Sequence, residues 1–123
     1  MSDDIYKEEI LEHYWEPHNS GTLPHPQASA EEVSETCGDK IRIDLAIDKG
    51  GRITDVRFTG AGCAISQAST SMLTDKLKGL TITQAQKLSE QDILAILKIS
   101  ISPARQKCAL LGWQVMKKAL RNS

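Results

Sequence analysis

Two alternating runs joined by a glycine-rich turn constrain the fold of this 123-residue chain most strongly. In the first run, KIRIDLAID, isoleucine or leucine occupies every second position over residues 41–47, the period of a strand with one buried face. The second run, RITDVRF, repeats the alternation but slips by one residue between Ile53 and Val56, which predicts a bulge. The intervening KGG supplies a turn, so the two runs predict an antiparallel hairpin.

Outside the hairpin, apolar residues recur every three or four positions, which predicts helices. The predicted helices cover about Asp3–Trp15, the segment from Cys63 to Gly79, a piece beginning near Thr83, a piece capped by Ser89, and the segment after Ser102. A Pro-, Gly- and Ser-rich stretch before about residue 30 predicts an irregular connection, and EEVSET predicts a short edge strand. With no internal repeat or linker, the chain is expected to form one α+β domain over residues 1–123.

Composition excludes several broad functions. Hydrophobic residues make up 40% of the chain, enough for one compact core. The net charge of -1 argues against a broad nucleic-acid-binding surface, which needs clustered basic residues. No stretch approaches the ~20 apolar residues of a membrane span, and the acidic start MSDDIYKEEI lacks the blocks of a signal peptide. We therefore expect a cytoplasmic protein with no nucleic-acid or membrane partner.

Charge is unevenly distributed along the chain. Lys7 is the only Lys or Arg among the first 39 residues, which are rich in acidic side chains, whereas every charged side chain after Asp92 is basic. Solvated helix faces are the simplest interpretation of this pattern. Attraction between the two ends, or to oppositely charged partners, is the alternative.

The first of three cysteines stands next to a carboxylate. Without a secretion signal, the cysteines are expected to stay reduced rather than to form a disulfide framework. Cys37 lies in TCGD, two positions before Asp39. Residues i and i+2 of an extended segment point to the same side, and Gly38 between them adds no side-chain bulk. Cys37 and Asp39 are therefore the first candidate ligand pair.

The second cysteine lies where the strand period changes to a helical period. Cys63 closes the segment TGAGC. Gly60 and Gly62 let the backbone bend sharply there and approach a bound atom closely. The dipole of the following helix also stabilises a thiolate at its N-terminus. Cys63 is therefore a second candidate ligand.

The third cysteine, Cys108, lies in the opening turns of the last predicted helix, beside Arg105 and Lys107. These cations are expected to lower the pKa of a thiol, and the thiolate is the form that binds metal or attacks sulfur. Three sulfurs and one carboxylate complete a tetrahedral set for zinc or supply the ligands of a small iron–sulfur cluster. The chain has no C-x-x-C pair, however, so spacing alone leaves open whether the cysteines share a site or are buried small hydrophobes.

Other polar and aromatic residues are weaker candidates. The three histidines His13, His18 and His25 are alternative ligands, although His13 is better explained as a surface or hydrogen-bonded core residue. Trp15 and Trp113 are predicted to be packing residues, because an aromatic content of 4% leaves few other bulky side chains. The segment SQASTSM predicts a tightly packed helix face, since no histidine and acid are placed to activate Ser66, Ser69 or Ser71.

Four segments together resemble the scaffold proteins of iron–sulfur cluster assembly, the group that comprises IscU, SufU and the N-terminal domain of NifU. These segments extend over nearly the whole chain, from Tyr6 to Leu120: YKEEILEHYWEPHNSG, CGDKIRIDL, ITDVRFTGAGCAISQASTSMLTDKLKG and RQKCALLGW. CGD alone is a weak signal. CGD followed by F-x-G-x-GCAIS-x-AS-x-S and by R-x-K-CA-x-L-x-W is a specific one.

The resemblance implies a SufE/NifU-like α+β fold, in which a small three-stranded antiparallel sheet packs against about five helices and the ligands lie at one exposed end. Carried over by position, Cys37, Cys63 and Cys108 are the implied thiolate ligands and Asp39 the implied acidic ligand. The implied ligand set binds a [2Fe–2S] cluster or iron. Isolated members of the family often hold zinc at the same residues.

The implied activity is that of a non-enzymatic scaffold. Such a protein accepts sulfur from a pyridoxal-phosphate-dependent cysteine desulfurase, assembles a [2Fe–2S] cluster with iron and electrons, and passes it to acceptor or carrier proteins. Three thiolates hold the cluster, while the harder carboxylate is expected to leave it labile enough to transfer. The oligomeric state stays open, with a homodimer as one option.

Around the third cysteine the chain is most similar to SufU. Lys107 stands where the IscU branch has a histidine, and R-Q-K-C is similar to the SufU pattern, in which the site binds zinc tightly. The alternative function is therefore a zinc-dependent sulfurtransferase, in which Cys108 accepts persulfide sulfur that then passes to another scaffold. The segment between Cys63 and Cys108 has little room for the helical insertion usual in SufU. ISPARQK replaces the LPPVK segment by which IscU proteins meet a dedicated chaperone, so that partner is not expected.

Overall fold

The structure, a computed structural model, describes residues 8–34, 38–97 and 101–121. Within these ranges the elements follow in the order α1 (Glu8–Trp15), β1 (Ala28–Ser34), β2 (Asp39–Ile47), β3 (Ile53–Ala61), α2 (Ala64–Leu77), α3 (Ile82–Gln86), α4 (Glu90–Leu97) and α5 (Pro103–Arg121). Three strands and five helices confirm the predicted fold class. Two sequence predictions lie outside the described residues: the start of the first helix at about Asp3, and the position of Cys37.

The strands form one antiparallel sheet in the order β1-β2-β3. β1 therefore lies at an edge, as predicted, although it begins at Ala28 rather than at Glu31. The longer strand arises because the end of the irregular connection also pairs with β2, where Ala28 lies opposite Leu45.

The hairpin contains the predicted bulge. Ala46 pairs with Asp55, but the next β2 residue, Ile47, pairs with Ile53. Thr54 is therefore an extra residue on β3, and the insertion explains why the apolar alternation slips by one position.

The buried face of the sheet is the one predicted from the alternation. Ile41, Ile43 and Leu45 on β2, and Val56 and Phe58 on β3, are each at most 2% exposed. α5 packs across β1 and β2, while α2 packs on β3 and on α5. Because each buried side chain of this size contributes roughly 1.5–3 kcal/mol, this layer is the main source of stability.

α2 is buried on nearly every side, and its small hydroxyl residues fit between its neighbours. Ser69 Oγ donates to the carbonyl of Ala109 on α5 at 2.6 Å, and Thr70 Oγ1 donates to the carbonyl of Ser66 at 2.8 Å. These bonds satisfy polar groups that would otherwise be costly to bury. They confirm the predicted packed helix face.

α3 and α4 each begin with a capping box. Thr81 and Gln84 exchange hydrogen bonds at the start of α3, which begins slightly earlier than predicted. Ser89 Oγ accepts from the N–H of Asp92 at 3.2 Å, and Asp92 Oδ2 accepts from the N–H of Ser89 at 2.9 Å, which confirms the predicted cap. Hydrogen bonds from the backbone and the side chain of Ser89 to the carboxylate lower the pKa of Asp92.

The prediction that Trp15 is a packing residue is wrong, because its side chain is 73% exposed. α1 buries Ile10 and His13. At 3.6 residues per turn, a residue five positions after Ile10 lies on the far side of the helix. Trp113 does pack against the core, as predicted, and its indole N–H donates to the carbonyl of Leu88 at 2.8 Å.

Asp44 lies on the strand face that the alternation assigns to polar residues, yet it is 1% exposed. Its carboxylate accepts from Ser29 Oγ at 2.7 Å, from the N–H of Leu23 at 3.1 Å and from Arg42 Nε at 3.0 Å. Leu23 belongs to the irregular connection, which covers this part of the sheet. The burial of Asp44 is thus a tertiary effect, and its hydrogen bonds satisfy the carboxylate.

An ion pair joins the acidic and basic parts of the chain: Lys118 Nζ lies 2.8 Å from Glu32 Oε2. Their side chains are 41% and 40% exposed, so the pair contributes at most about 1 kcal/mol.

The longest helix, α5, carries several charged side chains among its 19 residues. Within the described part of the chain, no helix combines the length and the apolar character needed to cross a membrane.

Replacement of Gly112 by alanine is expected to destabilise the fold. An added Cβ would lie 2.4 Å from Thr70 Oγ1 and 3.1 Å from Thr70 Cβ. Overpacking of this kind costs about 1–3 kcal/mol, against a gain in helix propensity of at most ~1 kcal/mol. Denaturant unfolding measures the net loss. In the matched control Gly50→Ala, the Cβ meets Asp48 Oδ1 at an ordinary 3.5 Å. An unfolding midpoint unchanged in Gly112→Ala would contradict the close packing of α2 on α5.

Candidate metal centre

Asp39 is the first residue of β2, and its side chain is 1% exposed. A carboxylate at such depth is costly unless it accepts hydrogen bonds. Asp39 Oδ1 accepts from the backbone N–H of Cys63 at 2.9 Å, and Oδ2 lies 3.5 Å from the Cys63 thiol, which donates to it. The start of β2 is thereby joined to the start of α2.

The glycines around the site are required by close contacts. Gly62 has a φ of 140°, and a Cβ there would lie 2.0 Å from Asp39 Oδ1. A Cβ on Gly60 would lie 2.7 Å from Ile41 Cδ1. Gly38 has open space around it but a φ of 72°, which side chains disfavour. The predicted sharp bend is present, and Gly62 additionally makes room for the carboxylate.

Cys63 occupies the N-cap of α2 and is exposed. Its backbone is extended, with φ -75° and ψ 163°, and no side chain caps the helix there. Its carbonyl accepts from the N–H of Gln67 at 3.2 Å. The thiol thus lies at the positive end of a helix and is accessible from solvent, as the sequence predicted.

Cys108 faces inward from α5 and is 6% exposed. It belongs to a small apolar cluster with Ile10, Ile65, Ala68, Met72, Leu97 and Ala109. One donor atom from each of Asp39, Cys63 and Cys108 lies within 4.8 Å of the others. The structure therefore brings together three of the four residues predicted to share a site, while Cys37 lies outside the described residues.

The geometry of this group fits a metal. Tetrahedral zinc has Zn–S distances near 2.3 Å and Zn–O distances near 2.1 Å, which places a sulfur and an oxygen ligand about 3.6 Å apart. The separation between Cys63 Sγ and Asp39 Oδ2 is 3.5 Å. A metal ion could therefore bind to this pair with almost no movement of either side chain.

The predicted supporting cations lie on the same helix as Cys108. Arg105 and Lys107 are both exposed in the first turns of α5. Their expected effect on the thiol pKa stays a prediction.

An open cleft adjoins the glycine loop that carries Cys63. Its volume is ≈ 320 Å³. The lining residues come from the end of α1, the following connection, the end of β3 and the start of α2: Tyr14, Trp15, Pro17, Gly60, Ala61, Gly62 and Gln67. The exposed indole of Trp15 thus lies at the edge of the candidate site rather than in the core.

A second group of ligand-type side chains lies elsewhere. Donor atoms of His13, His18 and Asp75 are all within 4.8 Å of one another. His13 is 7% exposed and bonded through Nδ1 to Ser71 Oγ at 2.7 Å, which confirms the predicted hydrogen-bonded core histidine. Burial lowers the pKa of His13, and the neighbouring His18 lowers it further. His25 is exposed and belongs to neither group among the described residues.

Sequence reasoning did not connect Asp75 with the histidines. Asp75 is 57 positions from His18, so no local spacing could reveal the contact. The available signal was weak: Ser71 and Asp75 are four residues apart and share one face of α2. His13 and His18 had been identified only as separate alternative ligands.

The family of the NifU-like N terminal domain matches residues 5–122 of this chain. The zinc-dependent sulfurtransferase SufU of Bacillus subtilis (strain 168) is 35% identical over 135 residues, covering 96% of this chain and 90% of SufU. That alignment is longer than the chain, so SufU contains residues that this chain lacks. The iron–sulfur cluster assembly enzyme IscU of Drosophila melanogaster is 32% identical over 119 residues, covering 94% and 76% of the two proteins.

A solved structure has the same architecture. It is the crystal structure of a candidate iron–sulfur cluster assembly scaffold protein for the SUF system (FiSufU) from Fervidobacterium islandicum AW-1. The TM-score is 0.79 at 29% identity, with 98% of this chain and 99% of the other covered. The chain therefore belongs to the NifU-like N-terminal domain family, the iron–sulfur cluster scaffold family that includes SufU, IscU and NifU.

Proposed function

We propose that this protein is an assembly scaffold that builds a [2Fe–2S] cluster and transfers it to acceptor or carrier proteins. The observation that carries the proposal is the grouping of one carboxylate and two thiols, from Asp39, Cys63 and Cys108, within 4.8 Å. Cys37, two positions before Asp39 in the sequence, completes the set as the third thiolate. Iron–sulfur clusters are held by thiolates of this kind.

The ligands differ in hardness, and this difference suits a cluster that is cargo rather than a permanent cofactor. Thiolates are soft ligands that favour iron–sulfur clusters, whereas a carboxylate is harder and binds them less well. Asp39 is therefore the ligand expected to dissociate first from the cluster when an acceptor protein supplies a thiolate of its own. Release is helped because Oδ1 keeps its hydrogen bond to the N–H of Cys63.

The same end of the molecule must receive sulfur from a donor. A cysteine desulfurase carries this sulfur as a persulfide, which must come within bonding distance of a scaffold thiolate. Cys63 is exposed, and Arg105 and Lys107 are exposed on α5. These cations favour an acidic surface on the donor. We propose a cytoplasmic desulfurase as this partner.

The alternative function is that of a zinc-dependent sulfurtransferase, and one relative supports it. SufU of Bacillus subtilis carries that name and is 35% identical to this chain. Zinc fits the same donor set and, when bound, supplies a positive charge that keeps the thiols deprotonated. In the transfer step, a thiolate attacks the outer sulfur of the desulfurase persulfide. A new S–S bond forms on the scaffold, the S–S bond on the desulfurase breaks, and the electron pair leaves with the desulfurase thiolate.

Anaerobic reconstitution with iron, cysteine and a desulfurase is expected to give the visible absorption of a [2Fe–2S] cluster. Cys37→Ser, Cys63→Ser and Cys108→Ser should each prevent a stable cluster, because a hydroxyl replaces a thiolate ligand. Absorption spectra and iron and sulfide content measure the outcome. A metal-free wild-type protein that remains folded but forms no cluster would exclude the scaffold function.

Substitution of Asp39 is expected to lengthen the lifetime of the cluster while slowing its transfer, because the weakest ligand is removed. Asp39→Asn is the sharper variant, since an amide oxygen can still accept from the N–H of Cys63. Asp39→Ala also removes that bond and should lower the free energy of unfolding by about 1–3 kcal/mol. Decay of cluster absorption and the rate of transfer to an apoprotein measure both effects, with Asp55→Asn as a control. A shorter lifetime in both Asp39 variants would mean that Asp39 holds the cluster.

The sulfurtransferase alternative predicts that the zinc-loaded protein strongly raises desulfurase turnover. Cys108 is the candidate sulfur acceptor, so Cys108→Ser should abolish the increase. Cys63 is the exposed thiol of the described pair, which makes Cys63→Ser the matched variant. Mass spectrometry of the trapped persulfide identifies the acceptor. The alternative is rejected if no cognate desulfurase is stimulated, and Cys63 replaces Cys108 if only Cys63→Ser abolishes the effect.

A further inference from the structure

We propose that His13, His18 and Asp75 form a second metal site, separate from the cysteine site, for one divalent first-row transition metal ion of the zinc or ferrous iron class. Two imidazoles and one carboxylate are a donor set that such ions accept. This donor set contains no sulfur and is therefore chemically distinct from the first group.

The three donors come from three different segments that meet at one point. His13 lies on α1, His18 in the connection after it, and Asp75 near the end of α2, and their donor atoms are within 4.8 Å of one another. The two imidazole centroids are 4.3 Å apart. Convergence from separate segments fixes the positions of the donors by the fold itself, so little conformational freedom remains to be lost on binding.

Hydrogen bonds to protein groups orient two of the proposed ligands, His13 and Asp75. Ser71 Oγ lies 2.7 Å from His13 Nδ1, which leaves Nε2 available to a metal. Asn19 Nδ2 donates to Asp75 Oδ1 at 2.9 Å, which leaves Oδ2. Outer hydrogen bonds of this kind orient ligands and raise metal affinity.

The remaining contact is one that a metal can replace. His18 Nδ1 lies 2.6 Å from Asp75 Oδ2, within hydrogen-bond distance. Ligand distances near 2.1 Å at a tetrahedral ion would place them about 3.4 Å apart. The pair must open by less than about 1 Å, and the side chains of His18 and Asp75 are each 46% exposed, so this movement is sterically open.

Negative charges lie around the group. Burial and the neighbouring His18 lower the pKa of His13, while the carboxylates of Asp75, Glu9 and Glu12 oppose that shift because they attract positive charge. A cleft that includes Glu9, His13 and Asp75 in its lining opens to solvent beside them. Lys76 also lines the cleft, and its positive charge opposes a bound cation.

The second site is independent of the first because α2 separates them. Cys63 precedes the first residue of α2, and Asp75 lies near its last. At 1.5 Å per residue the two positions are about 18 Å apart. An ion at the second site cannot share a ligand with the cysteine site. It would instead tie α1 and the connection after it to α2.

Counting bound metal tests the site. After saturation with zinc and removal of excess, Asp75→Asn is expected to hold one equivalent fewer than the wild type, whatever the first site contains. The amide that replaces the carboxylate in this variant still offers an oxygen to Asn19, so the fold should persist. His18→Asn should lose the same equivalent, and the matched control His25→Asn should lose none. The affinity of the lost site should fall by more than about 10-fold in both variants, since even outer-sphere changes have that effect.

Spectroscopy separates this site from the cysteine site. Cobalt(II) added to the wild type should show visible bands from a nitrogen- and oxygen-ligated ion that disappear in Asp75→Asn, while any thiolate charge-transfer absorption stays unchanged. Anaerobic titration with ferrous iron decides between iron and zinc as the preferred ion. Equal metal content in wild type, Asp75→Asn and His18→Asn would overturn the proposal, as would loss of thiolate absorption in Asp75→Asn. Failure of cluster assembly would leave these results unaffected.

Discussion

The contact between Asp39 and Cys63 is the interaction on which the site depends. Asp39 Oδ1 accepts from the N–H of Cys63 at 2.9 Å, which fixes the first residue of β2 against the N-cap of α2. The contact exists only because Gly62 lacks a side chain, since a Cβ there would lie 2.0 Å from the carboxylate. One hydrogen bond and one missing methyl group therefore determine where a thiol and a carboxylate meet.

α2 connects this contact to the packed core of the molecule. The helix packs against α1, α4, α5 and β3, and small residues at these contacts allow close approach. Gly112 of α5, for example, leaves room for Thr70. Cys63 lies at one end of α2, and Asp75, where the histidines gather, near the other. Tight packing around one helix thus fixes both groups of ligand-type residues, because neither end can shift without disturbing the core.

Local patterns predicted most of the fold. The hairpin, its bulge and the cap formed by Ser89 and Asp92 follow from alternation and short-range hydrogen bonds, which depend on neighbouring residues alone. The convergence of Asp39, Cys63 and Cys108 was open from spacing, and the resemblance to a family selected it. The exposure of Trp15, the burial of Asp44 and the contact of Asp75 with the histidines were not predicted. Each depends on which segment covers which, and no periodicity within a single segment contains that information.

The proposed role of Asp39 explains how one site can bind a cluster and also give it up. A buried carboxylate without partners would be costly, so a ligand that loses its metal normally leaves an unsatisfied group behind. Asp39 avoids that cost, since the N–H and thiol of Cys63 both donate to it in the described structure. On the proposed assignment, loading replaces only the thiol contact, and release restores it. The empty protein therefore leaves no unsatisfied carboxylate behind, and the free energy difference between the loaded and empty states is smaller. This favours transfer of the cluster over permanent storage.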